Sequence, residues 1–465
     1  MPHPTRADTN PTAMFALASS ILLASLGVSL ASVALPALSQ AFSATISQVQ
    51  WVVIGYLLSV TITILLVGRL GDQLGQRRVL VAGLLLFAAA SVASAAAPDL
   101  GTLIAARAVQ GIGGAILMAL PVSLAREIVP LERTGSAMGL LGTMSAIGTA
   151  LGPSLGGIVI AWFGWRAAFA ALALVSLAAL GLALRINLRA PSPLCGRIDF
   201  RWPSAIVLAV TLSGYALATA GNAVTLPFGS GVFALIAVGG LIVFIAIEAR
   251  SATPLIPVRV LVERTVAFSL LMNMLVTTVI MTTLVVGPFY LAFGLGLDQA
   301  AVGLVLAVGP VVSALSGLPA GRATDRFRAS RVLVAGLVAM TAGLVCLALL
   351  PQRFGVAGYI AALAIITPGY QLFLAANNTT LMLSARAGER GMLSGLLGLS
   401  RNLGFMTGAS AMASLFAFAL RGVDVTLVSA DTLADAFAQT FLVAAGLTGF
   451  ALVLGIAARP DRPRH

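Results

Sequence analysis

Fourteen apolar runs follow one another along the chain, each near the ~20 residues that an α-helix needs to cross a hydrocarbon layer. They cover roughly 14–38, 50–70, 79–97, 101–125, 135–160, 166–184, 203–221, 230–248, 266–292, 300–320, 331–350, 356–384, 391–418 and 436–458. Backbone polar groups in lipid must be satisfied within helices or closed barrels. Barrel strands would alternate with period two, and these runs do not. Helices buried in a water-soluble core are excluded by composition. Only 9% of the 465 residues are charged, against about 25% in a soluble domain, and mean hydropathy is +1.04. The sequence therefore predicts an all-α polytopic membrane protein with fourteen transmembrane helices. The first run lacks a small-residue cleavage site and is expected to be a retained helix, not a signal peptide.

Charge orients the chain. All 27 basic residues are Arg, and the formal net charge is +12. With Met1 in the cytoplasm, 22 Arg fall on cytoplasmic segments, only Arg166, Arg353 and Arg421 fall outside, and Arg107 and Arg401 lie within spans. This asymmetry predicts cytoplasmic termini, and the plasma (inner) membrane is the expected location. Anionic lipid against the Arg-rich face accounts for the basic balance without a nucleic-acid partner.

An internal repeat follows. GRLGDQLGQRRVLVAG (68–83) and GRATDRFRASRVLVAG (321–336) align at an offset of 253. GLLGTMSAIGTALGPS (139–154) and GLLGLSRNLGFMTGAS (395–410) align at 256. Two matches at nearly one offset indicate a duplicated unit. The simplest division is a six-helix half (1–190), a linker with two inserted helices (191–255), and a second six-helix half (256–465), with the Arg-rich stretch 185–202 preceding the insert. Two pseudo-symmetric halves suit a secondary transporter with its cargo site at mid-membrane. Enzymatic readings are weak. There is no carboxylate cluster to hold a catalytic metal and no Walker A pattern. His3 and His465 sit at the chain ends, Cys195 and Cys346 lie far apart, and no cofactor is expected.

Three groups of motifs carry a family resemblance. GRLGDQLGQRR (68–78) resembles the signature loop of the major facilitator superfamily, with Gln73 and Gln76 where Arg is usual. WVVIGYLL (51–58), RAVQGIGGA (107–115) and GTALGPSLGG (148–157) resemble the fourteen-helix drug:proton antiporters of that superfamily, as does PLIPVRVL (254–261). The resemblance implies a gate latch built from Gly68, Asp72, Arg77 and Arg78, with Gly321, Asp325 and Arg326 in the second copy. It implies coupling through Arg107 and Gln110. It also implies an exporter motif at Gly148, Gly152, Pro153, Gly156 and Gly157, whose glycines would form one smooth face for a neighbouring helix. Small-molecule export by alternating access, proton coupling and action as a monomer complete the expectation. A metabolite uptake carrier and a non-transporting sensor are the alternatives.

The residues depart from that pattern in the first span. Where the family carries Asp, LGVSLASVALP (26–36) has Gly27, and Ser32 stands in the Asn place. All 15 carboxylates fall at or beyond span ends, so a buried proton carrier is missing, and Asp72, Glu127 and Asp325 are the remaining candidates. Arg107 lies about 9 Å into its span and needs a partner or a wet cavity, unless it snorkels outward. Polar and aromatic residues within spans mark the expected cargo cavity: Tyr56, Asn273, Tyr370, Gln371, Asn377, Asn378, Arg401 and Asn402, with Ser29, Ser32 and Tyr290. Met272, Met274 and Met281 would add adaptable surface. A lining that is cationic to neutral, with no acid, favours neutral or anionic amphiphiles over lipophilic cations.

Overall fold

The computed structural model describes residues 11–129, 134–185, 202–219, 230–250, 258–384, 390–420, 423, 425 and 427–457. The helices in chain order are α1 (Pro11–Phe42), α2 (Ile46–Val49), α3 (Trp51–Leu74), α4 (Gln76–Ala95), α5 (Leu100–Ile128), α6 (Thr134–Leu184), α7 (Trp202–Thr219), α8 (Ser230–Ala249), α9 (Val258–Leu261), α10 (Arg264–Phe289), α11 (Gln299–Arg326), α12 (Ala329–Ser384), α13 (Arg390–Thr407), α14 (Ala413–Ala419) and α15 (Ala430–Ala457). π-Helical turns occupy Tyr290–Gly294 after α10 and Gly408–Met412 between α13 and α14. The protein is a multi-pass membrane protein. Eleven helical stretches among the described residues are long and apolar enough to cross a bilayer, and Ile206–Thr219 of α7 is a shorter apolar helix. The linker 186–201 lies outside the described residues.

Two of the eleven are too long for one crossing. α6 has 51 residues and α12 has 56, about 77 and 84 Å of helix. Each is broken once, at Gly164 (φ +79°) and at Gly355 (φ +53°). Positive φ is strained for any side chain, so glycine is what lets the chain reverse there. The breaks fall between the runs expected at 135–160 and 166–184 and between those at 331–350 and 356–384.

Hydrogen bonds between helix ends define two faces. Arg77 Nη2 donates to the Leu184 carbonyl (2.7 Å) and Arg264 Nη2 to that of Ala457 (3.1 Å) on the near face. Arg166 Nη2 reaches Ala97 (3.1 Å), Gln299 Nε2 reaches Val33 (2.8 Å) and Gln352 Nε2 reaches Ala434 (3.3 Å) on the far face. Two of the carboxylates read as external are far-face N-caps. Asp99 accepts from the Thr102 amide (2.8 Å) and Asp298 from that of Ala301 (2.7 Å). The Thr102 hydrogen bonds hold the Asp99 carboxyl below its usual range.

The repeat recurs in the packing. A Cβ on Gly113 of α5 would press on the Gly83 carbonyl and Phe87 amide of α4, each at 2.9 Å. A Cβ on Gly369 of α12 would press on the Gly336 carbonyl and Met340 amide, also at 2.9 Å. Gly148 and Gly152 of α6 pack on α1, and Gly404 and Gly408, 256 residues later, pack on α10. Thus α1–α6 form one set of mutually packed helices and α10–α15 another. The sets meet where α6 touches α11, α1 touches α10, α3 touches α13 and α2 touches α14. α7 pairs with α8 and lies against both α3 and α13.

Candidate functional site

Arg107 sits in a cage that the sequence did not suggest. Its guanidinium is fully buried (0% exposed). Nε donates to the Val52 carbonyl of α3 (3.1 Å), Nη2 to the Gly27 carbonyl of α1 (2.9 Å), and Nη1 to Gln110 Oε1 one turn on. Cζ stands 4.4 Å over the Tyr56 ring and 5.8 Å from that of Phe169. Gln110 Nε2 donates to Ser91 Oγ of α4 (2.6 Å), and Tyr56 OH donates to the Ala24 carbonyl (3.1 Å). The glycines of RAVQGIGGA make room for this. Cβ atoms on Gly111 and Gly114 would collide with the Tyr56 backbone and hydroxyl. Arg107 therefore neither snorkels nor faces water. It is solvated by carbonyl dipoles and aromatic faces in place of a carboxylate. Gly27, singled out for the acid it lacks, supplies its backbone oxygen.

The glycine-rich stretch of α6 serves two neighbours, not one face as expected. Gly148, Gly152 and Gly156 let α1 approach, where Ser29 Oγ donates to the Gly148 carbonyl (3.2 Å) and Ser25 and Ser145 share a hydrogen bond (2.8 Å). Gly157 turns to α11: its Cβ would lie 2.7 Å from the Gln299 carbonyl oxygen and 2.8 Å from Gly303 Cα. Gly303 in turn packs on the Pro153 carbonyl. With the Gln299–Val33 bond, this closes the two helix sets tightly at the far face. Four glycines of the second set toward the near face differ. A Cβ on Gly317, Gly321, Gly395 or Gly398 would meet nothing within 4 Å.

The latch expected at the near face is not assembled among the described residues. The surroundings of Gly68 and the Asp72 and Glu127 side chains lie outside what is described. Arg77 is tied to Leu184 within its own set, Arg78 is exposed, and Asp325 and Arg326 of α11 are exposed.

The expected cavity residues divide sharply. Ser29, Ser32, Tyr56, Asn273, Tyr290, Asn377 and Asn402 are buried, as are Met272 and Met281. Asn273 Nδ2 donates to Ser400 Oγ (2.7 Å) and the Leu397 carbonyl (3.1 Å), and Ser269 Oγ donates to Asn377 Oδ1 (2.6 Å). These amides join α10 to α13 and α12; they do not line a cavity here, and Tyr290 stacks on Phe437 at 4.1 Å. Tyr370, Gln371, Asn378 and Met274 are half-buried, and Arg401, expected to be buried, is exposed. Gln371 Nε2 donates to the Ser313 carbonyl (3.2 Å) and hydroxyl of α11. The Arg401 charge reaches Tyr370 on the adjacent helix.

Sequence reasoning missed Ser91, Phe169, Gly303, Ser313 and Gln299. It also missed the bonds of α7 to the second set, Tyr215 OH with Thr407 Oγ1 (2.6 Å) and Thr219 Oγ1 to Ser410 Oγ (2.8 Å). Only Gln299, a polar residue at a span end, carried a local signal.

Comparison with known proteins agrees with this architecture. The Major Facilitator Superfamily profile matches residues 17–194 and 266–465, passing over the segment that holds α7 and α8. The uncharacterized transporter YebQ of Escherichia coli is 32% identical over 91% of this chain and 93% of its own. The multidrug efflux pump LfrA of Mycolicibacterium smegmatis is 31% identical over 91% and 84%, and the riboflavin transporter RibZ of Clostridioides difficile 27% over 94% and 94%. A solved proton-dependent oligopeptide transporter superposes with a TM-score of 0.70 at 14% identity, covering 97% of this chain and 99% of that one, which shows the fold.

Proposed function

The chain belongs to the Major Facilitator Superfamily, and from that premise we propose that it exports amphiphilic small molecules by alternating access between two six-helix halves. The division at 190 and 255 follows the repeated packing. Fourteen crossings result when α6 and α12 each count twice and α7 crosses with α8. The Arg asymmetry favours a cytoplasmic near face with both termini, in what we take to be the plasma membrane. A reporter fused after Pro191 should then read as internal, and an external reading would sink this topology.

One observation carries the transport reading. Gly157 and Gly303 bring the halves into close contact at the far face, while Gly317 and Gly321 of α11 and Gly395 and Gly398 of α13, toward the near face, meet nothing within 4 Å, the arrangement expected of a carrier open to one side. The GTALGPSLGG motif and the likeness to LfrA favour export, and the fourteen-helix drug antiporters are the subgroup that it best resembles. Arg107 and Gln110 are assigned to coupling, since their network joins α1, α3, α4 and α5. No described carboxylate lies in the middle of these helices, so proton coupling rests on the resemblance alone. Cargo and lipid are the expected partners, and a monomer is sufficient.

Expression in a pump-deficient host should lower accumulation of several unrelated amphiphiles. Metabolite uptake is the second reading, favoured by the likeness to RibZ. Saturable inward transport of one solute, with no efflux of any compound tested, would establish uptake instead.

A further inference from the structure

The geometry points to the Arg401 face of α13 as an anion-recognition site, so that the preferred cargo carries a carboxylate or comparable anionic group. This rests on the mid-membrane cargo site proposed above. Arg401 lies 11 residues beyond Arg390, about 16 Å along the helix axis, and thus near the middle of a ~30 Å hydrocarbon layer. Its neighbours Ser400 and Asn402 are buried while Arg401 is exposed. A guanidinium bare to hydrocarbon at that depth is prohibitively costly, so it faces a watered space inside the protein. Gly398, on the same side of α13 one turn toward the near face, and Gly395, nearly a turn further and about a third of the way round the helix, have nothing within 4 Å of a built Cβ. They mark the way in.

The surroundings suit an anion. Among the described residues the Arg401 guanidinium has no carboxylate or hydrogen-bond partner. Tyr370 feels its charge from α12, and its hydroxyl has no hydrogen-bond partner there either. Gln371, held by Ser313, and the half-buried Asn378 extend a polar strip along α12. The described carboxylates stand elsewhere: Asp99 and Asp298 cap helices at the far face, Asp325 is exposed at the end of α11, and Glu263, Glu248, Asp431 and Asp435 lie at the ends of α10, α8 and α15. This face of α13 thus presents a planar fork of donors with no described partner, matched to a carboxylate, beside a phenol and amides that take the rest of an amphiphile. The repeat sharpens the point. Position 401 corresponds to Ser145, which spends its hydroxyl on Ser25; the second copy has exchanged a helix–helix bond for a free cation.

The test uses the purified full chain and three fluorescent probes of similar size: carboxyfluorescein (anionic), riboflavin (neutral) and ethidium (cationic). Binding is read by fluorescence anisotropy in detergent and transport in liposomes. Wild type should bind carboxyfluorescein best. Arg401→Gln should weaken that binding about tenfold or more with riboflavin little changed, and Arg401→Glu should reverse the order in favour of ethidium. Preference of wild type for ethidium, no binding of carboxyfluorescein, or unchanged carboxyfluorescein affinity in Arg401→Gln would each overturn the assignment. Charge-selective binding without flux of any probe would instead leave the anion site standing and defeat the transport reading.

Discussion

Arg107 and Arg401 are the two guanidinium groups that the chain carries inside its apolar helices, and they stand in opposite surroundings. Arg107 is sealed among α1, α3 and α5, with its fork engaged by two carbonyls and Gln110 and its face on Tyr56. Arg401 is exposed and without a hydrogen bond among the described residues. Equal charge and similar cost of insertion have been resolved in two ways, by internal solvation in the first half and by access to water in the second. The difference teaches that a buried cation in such a chain does not by itself mark the cargo path; its hydrogen-bond accounts do. With the anion site proposed for Arg401, the labour is divided: the first half holds a charged hub and the second meets the ligand.

The largest expected effect comes from removing the hub. Arg107→Ala should abolish transport, and, because each charge-assisted bond lost is worth about 1.5–3 kcal/mol, it should also lower the melting temperature measurably. Arg107→Lys should fail nearly as badly, since one ammonium cannot span Gly27, Val52 and Gln110 together. A functional Lys variant of normal stability would show that the fork is dispensable and would dissolve the contrast with Arg401.

The far-face seal comes next. At Gly157 a leucine must displace the Gln299 carbonyl or the Gly303 backbone, so Gly157→Leu should hold the far face open. Transport should fall to background while a cysteine placed at Val302, buried here, becomes reactive to a membrane-impermeant thiol reagent. Gly148→Leu, which wedges α6 from α1 within one half, should instead lower stability. If both variants behave alike, the two-neighbour reading of this motif is wrong.

Gly27→Asp probes the missing acid. Its Cβ would sit 3.0 Å from Phe87 Cζ, a contact that Phe87→Leu can relieve, and its backbone already touches Arg107. In the double variant a carboxylate beside the hub should change the pH dependence of transport relative to Phe87→Leu alone. Unchanged profiles would mean that the hub is electrically silent during the cycle.

Much of this was legible in the sequence, and the limits have physical causes. Helix positions followed from hydropathy because lipid leaves a chain few options, and the duplication followed from RVLVAG and its offset, which reappears as matched glycine contacts. The failures lie where backbone does the chemistry. No side-chain pattern announces that the Gly27 and Val52 carbonyls will solvate Arg107. Asn273 and Asn377 could not be told from cargo ligands because an amide joining two helices and one lining a cavity have the same spacing. Arg401, placed within a span by its position, is exposed. Its exposure, like the open space beside Gly398, is a property of helix arrangement that composition does not carry.

The smallest effect concerns α7, where the inequality of the halves extends to the insert. α7 touches α3, but its described side-chain hydrogen bonds to other helices go to the second half alone, through Tyr215–Thr407 and Thr219–Ser410 at the end of α13 and the π-helical turn that follows it. Each such bond contributes roughly 0.5–1.5 kcal/mol net, so Tyr215→Phe with Thr219→Val should lower the melting temperature by only a few degrees. The kinetic consequence should be more specific. A helix fastened to one half and merely leaning on the other travels with the half that holds it, and loosening it should change the rate of the conformational cycle more than the affinity for cargo. Maximal velocity should therefore shift in the double variant while the Michaelis constant stays within error. A change confined to the Michaelis constant would mean that α7 shapes the cargo site through α13. No change in either would make the insert a passenger, and the asymmetry between the halves would then end at Arg401.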